Sequence, residues 1–129
     1  MKYIIIALLP ILLASCASAP TRQELISADY GRVMLQDECE LQVKNIMGNS
    51  LKDPNSASYS FSNCIKMGFG SIPIMGIPKQ FGYGVTVGIN AKNSFGAYTG
   101  KKQYQFLFKN GSVIRKTKPG SDGYGQFPF

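Results

Sequence analysis

The stretch that decides the fold is FGYGVTVGIN, residues 81–90, in which bulky and small side chains alternate without a break. A period of two is the pattern of a β-strand with one buried face. The bulky face carries Phe81, Tyr83, Val85, Val87 and Ile89. The other face is nearly bare backbone, because three of its five residues are glycine, and such a face lets another group approach closely. We predict a strand here with its bulky face in the core.

Upstream of this strand, the spacing changes to that of a helix. From about Leu35, apolar residues recur at intervals of three and four, and acidic residues crowd the first turn, where the helix dipole favours them. The apolar stripe contains Leu35, Cys39, Val43, Ile46 and Met47. We interpret this stripe as core packing. Earlier in the chain, Thr21 and Glu24 have the spacing of a capping box, which is typical of the start of a helical turn.

Three more segments complete the predicted sheet. Residues 56–66 alternate like a strand, whereas residues 103–109 and 112–117 flank Asn110-Gly111. That dipeptide is the strongest short signal for a type I′ hairpin. The predicted fold class is therefore α+β, with one N-terminal helix packed on a small antiparallel sheet of about four strands.

The segment MGFGSIPIMGIPK, residues 67–79, fits no regular element. A connection this long and this apolar is uncommon within a sheet. One interpretation is a flap that covers a sheet edge or the mouth of the core. The other is an exposed apolar loop that contacts lipid or a partner protein.

The N-terminus, MKYIIIALLPILLASC at residues 1–16, has the features of a targeting signal. A short apolar run behind Lys2 is typical of a secretory signal peptide and is too short to span a bilayer. Leu13-Ala14-Ser15-Cys16 resembles a bacterial lipobox, in which the cysteine receives diacylglycerol and usually a further acyl chain such as palmitate. The alternative is an ordinary signal peptide cut after Ala17-Ser18-Ala19.

These features predict three parts of the chain. Residues 1–15 are the lipoprotein signal peptide, residues 16–33 are a lipid-anchored tether, and residues 34–129 are a periplasmic α+β domain. Because Ala17, and not Asp, follows Cys16, we expect an outer-membrane lipoprotein that faces the periplasm. Two or three acyl chains give nearly permanent membrane anchoring, whereas one chain is marginal.

After lipidation of Cys16, the chain retains Cys39 and Cys64. Two thiols in an oxidising compartment are more often paired than free, so we predict a disulfide between them. Strict alternation through residues 56–66 opposes this bond, since it places Cys64 on the face away from Ile65 and the other apolar residues. A bulge near Asn63 would turn the cysteine towards the core.

Nearly all of the net positive charge lies after residue 40, and a cluster of basic residues surrounds the C-terminal hairpin. In the predicted register, Phe108 faces Val113 and Phe106 faces Arg115. The candidate residues for contact with an anionic surface are Lys101, Lys102, Lys109, Arg115 and Lys116. The simpler interpretation of this cluster is a solvated face. The functional interpretation is contact with lipid headgroups, lipopolysaccharide phosphates or an acidic partner. Nucleic acid is not an expected partner in the periplasm.

The composition excludes several classes of enzyme. The chain contains no His and only three Cys, which removes Ser-His-Asp and Cys-His catalysis and the usual zinc sites. Residues 90–100 are the most distinctive stretch, in which Lys92, Asn93, Ser94 and Tyr98 are candidates to line a small polar site. We favour a structural turn there. Ser94 near Lys92 suggests a Ser-Lys dyad only weakly.

Several motifs give the chain a family resemblance. They are the lipobox, Ala28-Asp29-Tyr30-Gly31, Leu51-Lys52-Asp53-Pro54-Asn55-Ser56-Ala57, Tyr83-Gly84, and Asn90-Ala91-Lys92-Asn93-Ser94-Phe95-Gly96 through Gly100. With these motifs the chain resembles small, mostly uncharacterised lipoproteins of Gram-negative bacteria. The resemblance implies a lipid-anchored periplasmic domain. It points to no particular activity.

We therefore predict a non-enzymatic protein without cofactor or metal. Its expected role is a structural or accessory contact in the cell envelope, within assembly or secretion machinery. Its expected partners are the membrane, through the lipid anchor, and an envelope protein. The alternative is a binding module for anionic envelope ligands that uses the basic hairpin. A small hydrolase built on Lys92 and Ser94 is the least favoured hypothesis.

Overall fold

The computed structural model describes residues 18–119 and 126–128. The signal sequence, the lipobox and Cys16 therefore lie outside the described residues. Two α-helices are present in the described part of the chain, α1 (Arg22–Ser27) and α2 (Gln36–Gly48). The strands are β1 (Ser58–Phe61), β2 (Ile65–Phe69), β3 (Gln80–Asn90), β4 (Lys102–Lys109), β5 (Ser112–Pro119) and β6 (Gln126–Pro128). Short 3₁₀ turns lie at Pro54–Ser56 and Pro73–Met75.

The strands form one antiparallel sheet in the order β1-β3-β4-β5-β6, and β2 also pairs with β3. At 11 residues, β3 is the longest strand described. One of its edges pairs with β4, and its other edge pairs with β2 over its first half and with β1 over its second half. The α+β class and the antiparallel sheet are confirmed. The sheet has six strands instead of about four, since the segment 56–66 is divided and β6 adds to β5.

The hydrophobic core lies between α2 and one face of the sheet. The helix contributes Cys39, Val43 and Met47, all of them buried, to a cluster with the bulky side chains of β3 and β4. The expectation for Leu35 is wrong, because this residue is the N-cap of α2 and its side chain is 70% exposed. Met34, which precedes the helix, is buried in its place.

An extra residue between β1 and β2 explains the disulfide. Phe61 pairs with Val87, whereas Ile65 pairs with Gly84, so the chain has one residue more than β3 across this stretch. Such an insertion reverses the alternation of faces. Cys64 therefore packs against the core and is bonded to Cys39, with 6.4 Å between their Cα atoms. The expectation that Ile65 lies on the apolar face is wrong, since its side chain is 55% exposed.

The C-terminal hairpin has the predicted turn and a shifted register. Asn110 and Gly111 have φ angles of 51° and 81°, and positive values at both positions are what a type I′ turn requires. Phe108 faces Val113 as predicted. One extra residue in β5 then places Phe106 opposite Lys116, so the predicted pairing of Phe106 with Arg115 is wrong.

Candidate functional site

The basic residues of the hairpin do not form one patch. Lys101 and Lys102 lie at the start of β4, and Lys109 lies at its other end, a distance of about 24 Å along an eight-residue strand. The Lys109 ammonium pairs with the carboxylate of Asp29 at 3.3 Å. Lys116 is half-buried on β5. These cations are therefore spread along the length of β4, with Lys116 opposite Phe106 in its middle, and do not converge on one site.

Arg115 is buried on the second face of the sheet, where it is 7% exposed. Its guanidinium donates to Gln80 Oε1 at 2.6 Å and to the carbonyl oxygens of Gly70 and Pro78 at 2.8 and 3.2 Å. It also lies over the ring of Phe69, 5.3 Å from the centroid. Burial lowers the pKa of this guanidinium from its usual value. Arg115 thus holds the apolar segment 67–79 on the sheet and is not available to a ligand at the surface.

The segment 67–79 combines the two forms predicted for it. Its ends lie on the sheet, where β2 supplies Phe69 and the carbonyl of Pro78 accepts from Arg115. Its middle projects as a 3₁₀ turn closed by a bridge between Ile72 and Ile77. At the tip of this turn, the side chain of Ile74 is 95% exposed and that of Met75 is 55% exposed. We call residues 72–77 the apolar tip.

The N-terminal segment is fastened beside the apolar tip. The backbone N–H of Ser71 donates to the carbonyl of Ser18 at 3.0 Å, and the two hydroxyl oxygens are 3.2 Å apart. A Cβ atom on Gly70 would lie 2.7 Å from the Ser18 carbonyl oxygen, so this approach depends on glycine. Lys79 Nζ donates to both carboxylate oxygens of Glu24 at 2.9 and 3.0 Å. The predicted tether therefore contacts the domain through Ser18 and Glu24.

The stretch 90–100 forms a tight turn at the opposite end of β3. The side-chain oxygen of Asn93 accepts from the backbone N–H groups of Phe95 and Ala97 at 2.9 and 3.2 Å. Gly96 has a φ of 79°, which favours glycine. Phe95 at the tip is 94% exposed. This geometry agrees with the structural turn that the sequence predicts.

The structure gives no support to a Ser-Lys dyad. Ser94 is exposed, and no hydrogen bond joins it to Lys92 within the described part of the chain. Lys92 Nζ lies instead over the ring of Tyr98, 5.5 Å from its centroid. The Tyr98 hydroxyl donates to the carbonyl of Ser56 at 3.2 Å, and the Ser56 hydroxyl accepts from the Lys92 N–H at 2.9 Å. These contacts fix the turn against the 3₁₀ turn that follows α2.

A cavity of about 220 Å³ lies where these two segments meet. Its apolar lining is Leu51, Ile89 and Ala91. Its polar lining consists of three lysines and three uncharged residues, Lys52, Lys92, Lys102, Ser50, Asn93 and Thr99. Lys102 is brought there because it pairs with Ile89 across β3 and β4. We call this feature the lysine cavity.

Comparisons with family models, with curated proteins and with solved structures give no significant match. The site is therefore interpreted from its own chemistry. Among the described residues, no group of three or more His, Cys, Asp or Glu side chains is placed to hold a metal ion. Over the same residues, no helix is both long and apolar enough to cross a membrane.

The sequence predicts some residues of the lysine cavity but assigns them to separate sites. Lys92 and Asn93 were candidates for a polar site, and Lys102 was a candidate for anionic contact. Lys52 was missed as a site residue, although it lies in a motif that carries the family resemblance. Its sequence separation from Lys92 and Lys102 hid their proximity, because only the pairing of β3 with β4 and the packing of α2 bring them together.

Proposed function

We propose that this chain is a lipoprotein of the outer membrane that faces the periplasm and acts by contact within envelope assembly or secretion machinery. In this proposal, residues 1–15 are removed and acyl chains on Cys16 hold the domain at the membrane. The role requires no catalysis. The expected protein partner is another component of the envelope.

One observation carries the membrane part of this proposal. Ser18 is hydrogen-bonded to Ser71 at the base of the apolar tip. Two residues of extended chain reach about 7 Å, so lipid attached to Cys16 would enter the bilayer beside the tip. The exposed side chains of Ile74 and Met75 are then positioned to enter the same membrane. The bilayer is the occupant that this geometry favours for the tip.

The disulfide supports the predicted compartment. Bonds such as Cys39–Cys64 persist in oxidising environments, including the bacterial periplasm, and are rare in the cytosol. This agrees with an exported chain. A lipobox and a disulfide point to the same side of the inner membrane.

Metabolic labelling with radioactive palmitate tests the anchor. We expect label on the wild-type chain and none on Cys16→Ser, which should leave the membrane fraction. The matched control is the double variant Cys39→Ser/Cys64→Ser, which changes the other two cysteines and should retain the label. A wild-type chain that carries no label and is recovered in the soluble periplasm would overturn the proposal.

The alternative function, binding of an anionic envelope ligand, is favoured by a separate observation. The basic hairpin as a whole does not form one surface, but Lys102 belongs to the lysine cavity. We therefore assign anion binding to that cavity.

A further inference from the structure

We propose that the lysine cavity binds a phosphate group, either that of a phosphomonoester or the free ion. The cavity joins the segment after α2, which supplies Lys52, to the far end of β3 and the start of β4, which supply Lys92 and Lys102. The proposal goes beyond the contact role proposed above, and it does not require a lipid on Cys16.

The charge of the cavity is the first argument. None of Lys52, Lys92 and Lys102 forms an ion pair with another residue in the part of the chain that the structure describes. Three like charges around one small volume repel each other. A phosphomonoester carries between one and a half and two negative charges near neutral pH, as a rough figure, so it neutralises more of this charge than one carboxylate does.

The hydrogen-bond donors are the second argument. The side-chain oxygen of Asn93 is occupied by the N–H groups of Phe95 and Ala97, which fixes the orientation of the amide. Its NH₂ group can only donate, and it belongs to a residue that lines the cavity. An anion that accepts from this amide and from lysine ammonium groups gains charge-assisted hydrogen bonds.

The size of the cavity limits what enters it. A volume of about 220 Å³ is below the range of roughly 300–1,000 Å³ for pockets that enclose a whole drug-sized ligand. The cavity therefore suits one charged group, with the remainder of the ligand outside. The apolar side chains of Leu51 and Ile89 form part of the wall, as expected where a ring or sugar face approaches.

Isothermal titration calorimetry of the full chain in detergent, at neutral pH and constant ionic strength, tests this proposal. The probes are inorganic phosphate and glucose 1-phosphate. We expect saturable binding of at least one probe, weakened about tenfold by Lys52→Ala and by Lys102→Ala, because each removes a charged donor. If glucose 1-phosphate binds more tightly, the natural ligand is a sugar phosphate. If inorganic phosphate binds more tightly, the natural ligand is the free ion.

Lys101→Ala is the matched control, because it removes the same charge from the residue next to Lys102. Lys101 does not line the cavity, and its side chain lies close to Gly88. We expect the affinity of Lys101→Ala for each probe to differ from that of wild type by less than about twofold. Melting temperatures of the three variants confirm that each is folded. Absence of binding to both probes would overturn the proposal, as would an equal loss in Lys101→Ala, which indicates non-specific attraction.

Discussion

At the scale of single residues, one inserted residue decides what Arg115 does. Simple alternation along the hairpin places this arginine opposite Phe106, among the exposed cations. The extra residue in β5 places it opposite Leu107 instead, on the face where Gly70, Gln80 and Pro78 accept its hydrogen bonds. A period-two pattern cannot reveal an insertion of this kind, because each half of the strand alternates correctly.

Replacing Arg115 should therefore destabilise the domain without affecting any ligand at the lysine cavity. We expect Arg115→Leu to lower the free energy of unfolding by about 2–3 kcal/mol, since it removes the charged donor that bonds Gln80 and the carbonyl groups of Gly70 and Pro78. Arg115→Lys should have a free energy of unfolding between those of wild type and Arg115→Leu, because an ammonium cannot reproduce the forked geometry of the guanidinium. Urea denaturation measures both. A change below about 0.5 kcal/mol in Arg115→Leu, as is usual for surface sites, would contradict this role.

The disulfide is the second feature set by a single residue. Removing it through Cys39→Ala/Cys64→Ala should lower the free energy of unfolding by about 3 kcal/mol, because the bond closes a long loop in the unfolded chain. The sequence separation is 25 residues. Urea denaturation with the wild type as reference measures the loss. Two titratable thiols in native protein taken directly from the periplasm would show that the bond does not form there.

At the scale of elements, ion pairs hold the N-terminal segment against α2 and the sheet. The ammonium of Lys79 lowers the pKa of Glu24. The N–H of Gly31 and the Lys109 ammonium lower that of Asp29, and Arg32 lowers that of Glu38. Each carboxyl group binds its proton more weakly in the folded state than in the unfolded state. The stability they provide is present above their unfolded pKa values and is lost as pH falls through the folded ones.

We therefore expect the melting temperature to fall as pH is lowered from about 5 to about 3. Glu24→Gln should reduce the steepness of this fall, because one of the linked groups is gone. Lys79→Met should reduce it as well, since it removes the main cause of the lowered pKa of Glu24. Scanning calorimetry across this range measures the slope. An identical slope in wild type and both variants would show that α1 is not held by this pair.

The apolar tip should tolerate polar substitution, unlike the residues that support it. Ile74→Ser/Met75→Ser should leave the melting temperature within about 2 °C of wild type, because both side chains are already exposed. Phe69→Ser should lower the free energy of unfolding by about 2 kcal/mol, since this ring packs against Arg115. Thermal unfolding followed by circular dichroism separates the two. Unfolding of the tip variant would make the whole segment a structural flap.

Local signals predicted the elements well, and for physical reasons. The alternation at 81–90, the Asn110-Gly111 turn and the helical spacing after Leu35 each act over a few residues, so the sequence contains them. Contacts between distant segments are different. The lysine cavity depends on how far α2 extends over the sheet, and the fastening of Ser18 to Ser71 depends on Gly70. Neither has a signature within one segment.

At the scale of the whole molecule, the proposed functions lie at opposite ends of β3. The apolar tip and Ser18 lie near its first residue, and the lysine cavity lies near its last. Eleven residues of extended chain span about 34 Å. If acyl chains on Cys16 place the first end at the membrane, the cavity faces the periplasm. Its ligand is then not a headgroup of the membrane that holds the anchor.

Tryptophan fluorescence in lipid vesicles tests this orientation most directly. The chain contains no Trp, so Ile74→Trp and Phe95→Trp each create a single reporter at one end of the molecule. The two positions are matched in exposure, at 95% and 94%. The account predicts that acylated Ile74→Trp shifts to shorter wavelength in vesicles and is quenched by brominated lipids, whereas Phe95→Trp is unchanged. Quenching of Phe95→Trp, with Ile74→Trp left in water, would contradict it.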